Sequence, residues 1–222
     1  MNTRNNNETC LLGETTLRPA HRPTGASLVA VIGIATAFVG VTIMHAVRPD
    51  VDPLKTVMSH YANGSNGSVM SVVFYAFGAT ALALGFRLRS AIDRRGVTKA
   101  LPVLLWLAGT GLIAAGVYEV DPPVAPETLQ DMVHSNSAVA AFVMLIVAMI
   151  LFTRASRRDD RWRSMHVVSL ALAVTAAVAA VGTKVFGGTD YSGAIQRVLA
   201  GAVLAWFLVT ALHVRRKSFD RS

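Results

Sequence analysis

Met132 to Thr153 reads MVHSNSAVAAFVMLIVAMILFT and holds no Asp, Glu, Lys or Arg. A helix needs about 20 mostly apolar residues to cross the hydrocarbon core of a bilayer, and this run supplies them. Working outward, five more stretches are free of those four residue types: 23–47, 56–86, 100–118, 164–183 and 198–214. The second has a polar beginning from Ser59 to Ser68, so its span starts near Gly67. The last is short and starts earlier, taking in Arg197 at its outer end. A single apolar stretch fits a soluble core helix, but six in succession with little between them do not. No strand-like alternation runs through them, and in lipid a helix satisfies all its backbone polar groups within one segment. The expectation is an all-α polytopic membrane protein, a bundle of six transmembrane helices over about 26–47, 67–86, 99–119, 132–153, 164–184 and 194–214.

The charges give an orientation. Only 15% of the 222 residues are charged, against about 25% in soluble domains. Of the 21 Lys and Arg, all but Arg48, Lys55, Lys184 and Arg197 lie in the tails or in the second and fourth connections. Basic residues mark the cytoplasmic side. Both termini are therefore expected in the cytoplasm, with residues 1–24 a disordered tail and 215–222 a basic one. The same placement explains the net charge of +8 without nucleic acid. The positives read as topology signals and as contacts for anionic lipid head groups. The Ala, Val and Arg-rich composition suggests a bacterial cell membrane. The first apolar run is longer than a signal-peptide core and reads as a retained span. Cys10, the single cysteine, allows no internal disulfide.

Tyr61, Tyr118 and Tyr191 fall near outer helix ends and Trp162 near an inner one, as interfacial rings do. Trp106 and Trp206 read as packing residues. Gly33 with Ala37, Ala81 with Gly85, and Gly111 with Ala115 stand at the spacing that lets helices approach closely.

The span interiors carry no carboxylate or guanidinium, which argues against a proton-coupled pump with a midplane site. Polar residues gather instead at the outer rim. The candidate pocket comprises His45, Asp52, Ser59, His60, Tyr61, Asp121, His134, Gln196 and Arg197. Asp121-Pro122-Pro123 is expected to end the third span, because proline cannot continue a helix. Arg197 suits a carboxylate or a lipid phosphate, with Glu119, Asp121 and Asp190 as the carboxylate candidates, or simply reaches to water.

The six spans, the segment from His45 to Ser59-His60-Tyr61-Ala62, the glycine-rich approach to span two, Asp121-Pro122, His134 and Gln196-Arg197 follow one another in order. On these elements the chain resembles, over Ala26 to Arg215, the bacterial and archaeal membrane family labelled domain of unknown function 998. That resemblance implies six spans and no established activity. A more distant similarity is to membrane hydrolases that set a serine, an aspartate and three histidines around zinc. This chain lacks their closely spaced histidine pair and a seventh span.

The leading expectation is a protein of unassigned activity, with no cofactor, that binds a lipid or small amphiphile at the outer rim. One alternative is a zinc-dependent membrane hydrolase using His45, His60, His134 and Asp121. Another is a facilitative transporter, for which only scattered residues such as Thr36, Thr42, Ser71, Thr80, Thr110 and Thr175 offer a polar path.

Overall fold

The computed structural model describes residues 25–118, 120–122 and 126–219, with side chains described through 215. The expected N-terminal tail, Cys10, Glu119, Pro123 and residues 220–222 lie outside the described residues. The helices are α1 (Gly25–Val47), α2 (Ser68–Ala91), α3 (Leu101–Val117), α4 (Leu129–Ser156), α5 (His166–Val185) and α6 (Ser192–Phe219). Short 3-10 turns occupy Met58–Ala62, Gly96–Ala100 and Arg163–Met165, and no strand occurs among the described residues. Six helices are long and apolar enough to cross a membrane. The protein is an all-α polytopic membrane bundle, as the charge-free runs require.

Each helix packs on the next, α6 returns to α1, and α2 and α4 also reach α6. Trp206, Phe207, Phe77, Phe152, Leu84 and Leu105 fill the interior. Large apolar residues such as Phe38, Val174 and Val178 face outward, where lipid rather than water meets them. The glycine positions seen in sequence do seat helices. A Cβ at Gly33 would strike Thr80 and Ala76 of α2, one at Gly85 would strike Trp106, and one at Gly111 would meet Ala141 and Ser137. The tightest reciprocal approach escaped that spacing rule. A Cβ on Gly78 would lie 2.7 Å from the Gly109 carbonyl, and one on Gly109 would lie 2.8 Å from the Gly78 carbonyl. Neither glycine has a small residue four positions away on its own helix, Phe74 and Leu82 flanking Gly78 and Leu105 and Ile113 flanking Gly109, so the pair exists only across α2 and α3.

Helix ends differ from the expected spans because a helix continues past the hydrocarbon wherever its backbone can still bond. α2 runs on through Arg87 and Arg89 to Ala91, and α6 runs to Phe219, into the segment read as a basic tail. α4 starts earlier than expected, at Leu129, where the Thr128 side chain accepts from Asp131 N, a standard N-terminal cap. α3 stops at Val117, before Asp121-Pro122, so the prolines do not end it.

The arginine-rich end is fastened by Asp159. Its carboxylate accepts from Arg161 Nη2 at 2.6 Å, Arg161 N at 3.1 Å and Asp93 N at 3.1 Å, tying the α2–α3 connection to the α4–α5 connection. The Arg161 guanidinium and these amides hold the Asp159 carboxyl at about 2, below its usual 3.8. A depressed carboxyl stabilises the fold fully at neutral pH and loses that contribution as the pH falls from its ordinary value through its folded one. The difference corresponds to about 2 kcal/mol. Acid unfolding should therefore show a fall in stability between about pH 4 and pH 2, and Asp159→Asn should remove that segment of the pH curve.

Trp162 departs from its expected interfacial place. It is 1% exposed, donates to Ala91 O at 3.0 Å, and packs against Phe152 and His213. It locks the two basic connections together instead of anchoring to lipid.

Candidate functional site

The opposite end of the bundle, here the rim, gathers the α1–α2, α3–α4 and α5–α6 connections. Helix termini leave orphan backbone groups, and the rim residues largely serve to satisfy them. After α1 the chain turns at Arg48, whose guanidinium grips Asp50 at 2.7 Å and also donates to the carbonyls of Tyr61 and Asn63. The Arg48 hydrogen bond holds the Asp50 carboxyl below its ordinary range. Asp52 accepts from Leu54 N at 2.8 Å and shapes the next turn.

That loop is clamped onto the start of α6. Leu54 O accepts from Ala194 N at 2.9 Å, Lys55 O accepts from the Ser192 hydroxyl at 2.6 Å, and Gln196 Oε1 accepts from Met58 N. Three loop carbonyls crowd Gly193 so closely that no Cβ fits. One turn further along α6, Arg197 reaches out of the helix. Its Nε donates to His45 Nε2 at 3.0 Å, Nη1 to Thr56 O at 2.8 Å and Gly193 O at 3.0 Å, and Nη2 to the Tyr61 hydroxyl at 3.2 Å. The guanidinium also sits 5.5 Å from the centre of the Tyr61 ring. Tyr61, expected at the interface, is 1% exposed.

The partners of His45 fix its chemistry. Its Nδ1 lies 2.7 Å from Val41 O, and a carbonyl only accepts, so Nδ1 carries the proton. Arginine only donates, so Nε2 presents its lone pair. His45 is therefore a neutral acceptor. Among the described residues no carboxylate lies within 4.0 Å of the Arg197 guanidinium. Of the carboxylates considered from sequence, Asp190 pairs with Lys55 at 3.1 Å and Asp121 bonds Thr128, while Glu119 lies outside the described residues. Arg197 is held by neutral acceptors, with four of its five N–H groups engaged.

A second cluster forms where α3 meets α4. His134 is 4% exposed, and its Nδ1 donates to Ala115 O at 2.6 Å and Tyr118 O at 3.2 Å, the orphan carbonyls at the end of α3. Phe74 meets its ring edge-on at 5.2 Å. Asn63 spans to His60 Nδ1 at 3.2 Å and to Asp121 O at 3.2 Å. Burial lowers the His60 pKa, Asp131 opposes that, and His134 adds to it.

These relations distribute the sequence candidates. His45, Tyr61, Gln196 and Arg197 come together over α6, and His60, Asp121 and His134 come together over α3 and α4. Ser59 lines a narrow space between the groups, and Asp52 serves its own turn. His45, His60, His134 and Asp121 do not converge on one point. Among the described residues no group of three or more His, Cys, Asp or Glu side chains is placed to hold a metal ion.

A family model described as protein of unknown function (DUF998) matches residues 31–213, nearly the whole bundle. The chain belongs to this family. No curated protein and no solved structure matches it. Membership in DUF998 brings no activity with it, so the chemistry of the rim must speak for itself.

Cavities bordered by the described residues lie along the rim. A 240 Å³ groove runs between α1 and α6, with Phe38, Val41, Phe77 and Leu204 as apolar walls and His45 and Arg197 at its polar end. A 40 Å³ space walled by Met58, Phe74, Phe77 and Ala200 separates it from a 180 Å³ polar chamber beside His134. Sequence reasoning missed Thr56, Asn63, Thr128, Gly193 and Gly201. Only Thr128, three residues before Asp131, carried a readable sign, that of a helix cap.

Proposed function

We propose that this DUF998 protein binds an anionic amphiphile of the bilayer, its acyl chain in the α1/α6 groove and its phosphate or carboxylate head at Arg197. The observation that carries this reading is a guanidinium without a carboxylate at the polar end of an apolar groove. A part-buried cation favours an anionic partner, and one Nη2 hydrogen of Arg197 is left to donate to it. The apolar walls match an acyl chain, and Phe38, 64% exposed, marks the open, lipid-facing side. The basic asymmetry supports a rim that faces outward, with both termini in the cytoplasm, the protein in the cell membrane and the arginine-rich end against anionic lipid head groups.

Gly201 offers a test that leaves the fold intact. It lines the groove, and a Cβ there meets nothing within 4 Å. Gly201→Leu should fill part of the groove from a position where the first added carbon is unobstructed. Mass spectrometry of lipids retained by detergent-purified protein should show anionic amphiphile bound to the wild type. Retention should weaken roughly tenfold in Gly201→Leu, equivalent to about 1.4 kcal/mol. Undiminished retention by a folded Gly201→Leu would refute the groove as the site.

A further inference from the structure

The polar chamber beside His134 belongs to none of the contacts assigned to the groove. Ser68, Ser71, Phe74, Tyr118 and His134 line it, and its volume is 180 Å³. His134 is 4% exposed, and both carbonyls it reaches are taken by Nδ1. Carbonyls only accept, so the proton is on Nδ1 and the lone pair is on Nε2. No described group donates to Nε2, and that atom is not among the sealed, unpartnered ones. His134 lines the chamber, and Nε2 is the ring nitrogen left to meet what the chamber holds. No described group serves this acceptor, so a ligand that brings an O–H or N–H to the chamber can.

The rest of the lining narrows the class. Among the described residues no Lys, Arg, Asp or Glu lines the chamber, so they offer a charged ligand no counter-charge. The start of α2 offers little to an anion, because Gly67 N, Val69 N and Met70 N already donate to Gly64 O, Asn66 O and Gly67 O. Ser71 makes no hydrogen bond to another described residue and presents a hydroxyl that both donates and accepts. A cavity of about 150 Å³ holds a molecule of six heavy atoms. We infer that the chamber binds a small uncharged polyol, glycerol-sized, whose hydroxyl donates to His134 Nε2 and whose other oxygens meet Ser71. The same group exists free in solution and as the head of a glycerol-bearing lipid.

The test reads His134 itself. Deuterium exchange at the imidazole Cε1, followed by mass spectrometry on the full chain, reports access to each histidine, with His166 and His213 as internal references. Glycerol in solution and phosphatidylglycerol in nanodiscs form two arms. At ten times the half-protecting concentration, exchange at His134 should slow roughly tenfold relative to the references. Inorganic phosphate and ethanolamine should not slow it. Ser71→Ala should raise the half-protecting concentration roughly tenfold, and Lys55→Gln, at an exposed rim pair, should leave it unchanged. Protection in the first arm alone identifies a soluble polyol, and protection in the second identifies a lipid head group. Absence of protection in both, equal protection by phosphate, or indifference to Ser71→Ala would each overturn the inference. So would a His134 already closed to exchange without ligand.

Discussion

Arg197→Lys should cost the protein about 2–4 kcal/mol of stability and its bound amphiphile as well, although the charge is kept. The guanidinium is a flat fork, and the rim uses its directions separately. One edge reaches α1 through His45, another the loop through Thr56 and its own helix through Gly193, and the last reaches Tyr61. An ammonium is a single point at the end of a flexible stem. It can satisfy one of these neighbourhoods and strands the others. The stranded groups are a histidine lone pair, a loop carbonyl and the hydroxyl of a tyrosine that is 1% exposed. Lys55→Gln gives the control. The Lys55–Asp190 pair is 56% and 72% exposed, and such surface pairs contribute about 0–1 kcal/mol. Denaturant unfolding in detergent, read beside lipid retention, should separate the two variants clearly. Equal effects would mean that Arg197 is an ordinary surface cation and would remove the basis of the groove proposal.

The bundle was readable in the sequence because one constraint dominates it. A charge-free run of sufficient length has few places to go other than through a bilayer, and six such runs left little freedom. Their ends were less readable, because hydropathy marks the hydrocarbon boundary and not the last backbone hydrogen bond. Hence α2 carries Arg87 and Arg89, and α6 overruns its expected end. At the rim, residue types were readable and atoms were not. His45 and His134 were visible as histidines, but only their carbonyl partners reveal that each carries its proton on Nδ1. That detail makes one an acceptor for Arg197 and leaves the other with a free lone pair. For Arg197 the sequence offers Glu119, Asp121 or Asp190 as partners, or simply water. A sequence shows where carboxylates are, whereas Thr56 O and Gly193 O become acceptors only through the path of the loop. Gly193 was invisible for the same reason.

Gly193→Ala should be among the most damaging single-methyl changes in the chain. Intrinsic propensity points the other way, since alanine is favoured over glycine inside a helix by about 1 kcal/mol. Geometry decides the sign. A Cβ at Gly193 would run into Thr56 O and lie 2.7 Å from Pro53 O and 2.9 Å from Leu54 O. All three are backbone atoms, so no side-chain rotation relieves them. Nor is the loop free to retreat, because Ala194 N holds Leu54 O at 2.9 Å and the Ser192 hydroxyl holds Lys55 O at 2.6 Å. Lifting the loop breaks these bonds and withdraws Thr56 O from Arg197, so the loss should reach about 2–3 kcal/mol. Gly201→Ala lies two turns further along α6, where an added Cβ meets nothing. It should be neutral or slightly stabilising. Unfolding midpoints of the two variants in the same detergent therefore differ in sign if the loop is seated on α6 as described. If Gly193→Ala proves no worse than Gly201→Ala, the loop is not clamped there, and Arg197 loses the carbonyl that aims it at the groove.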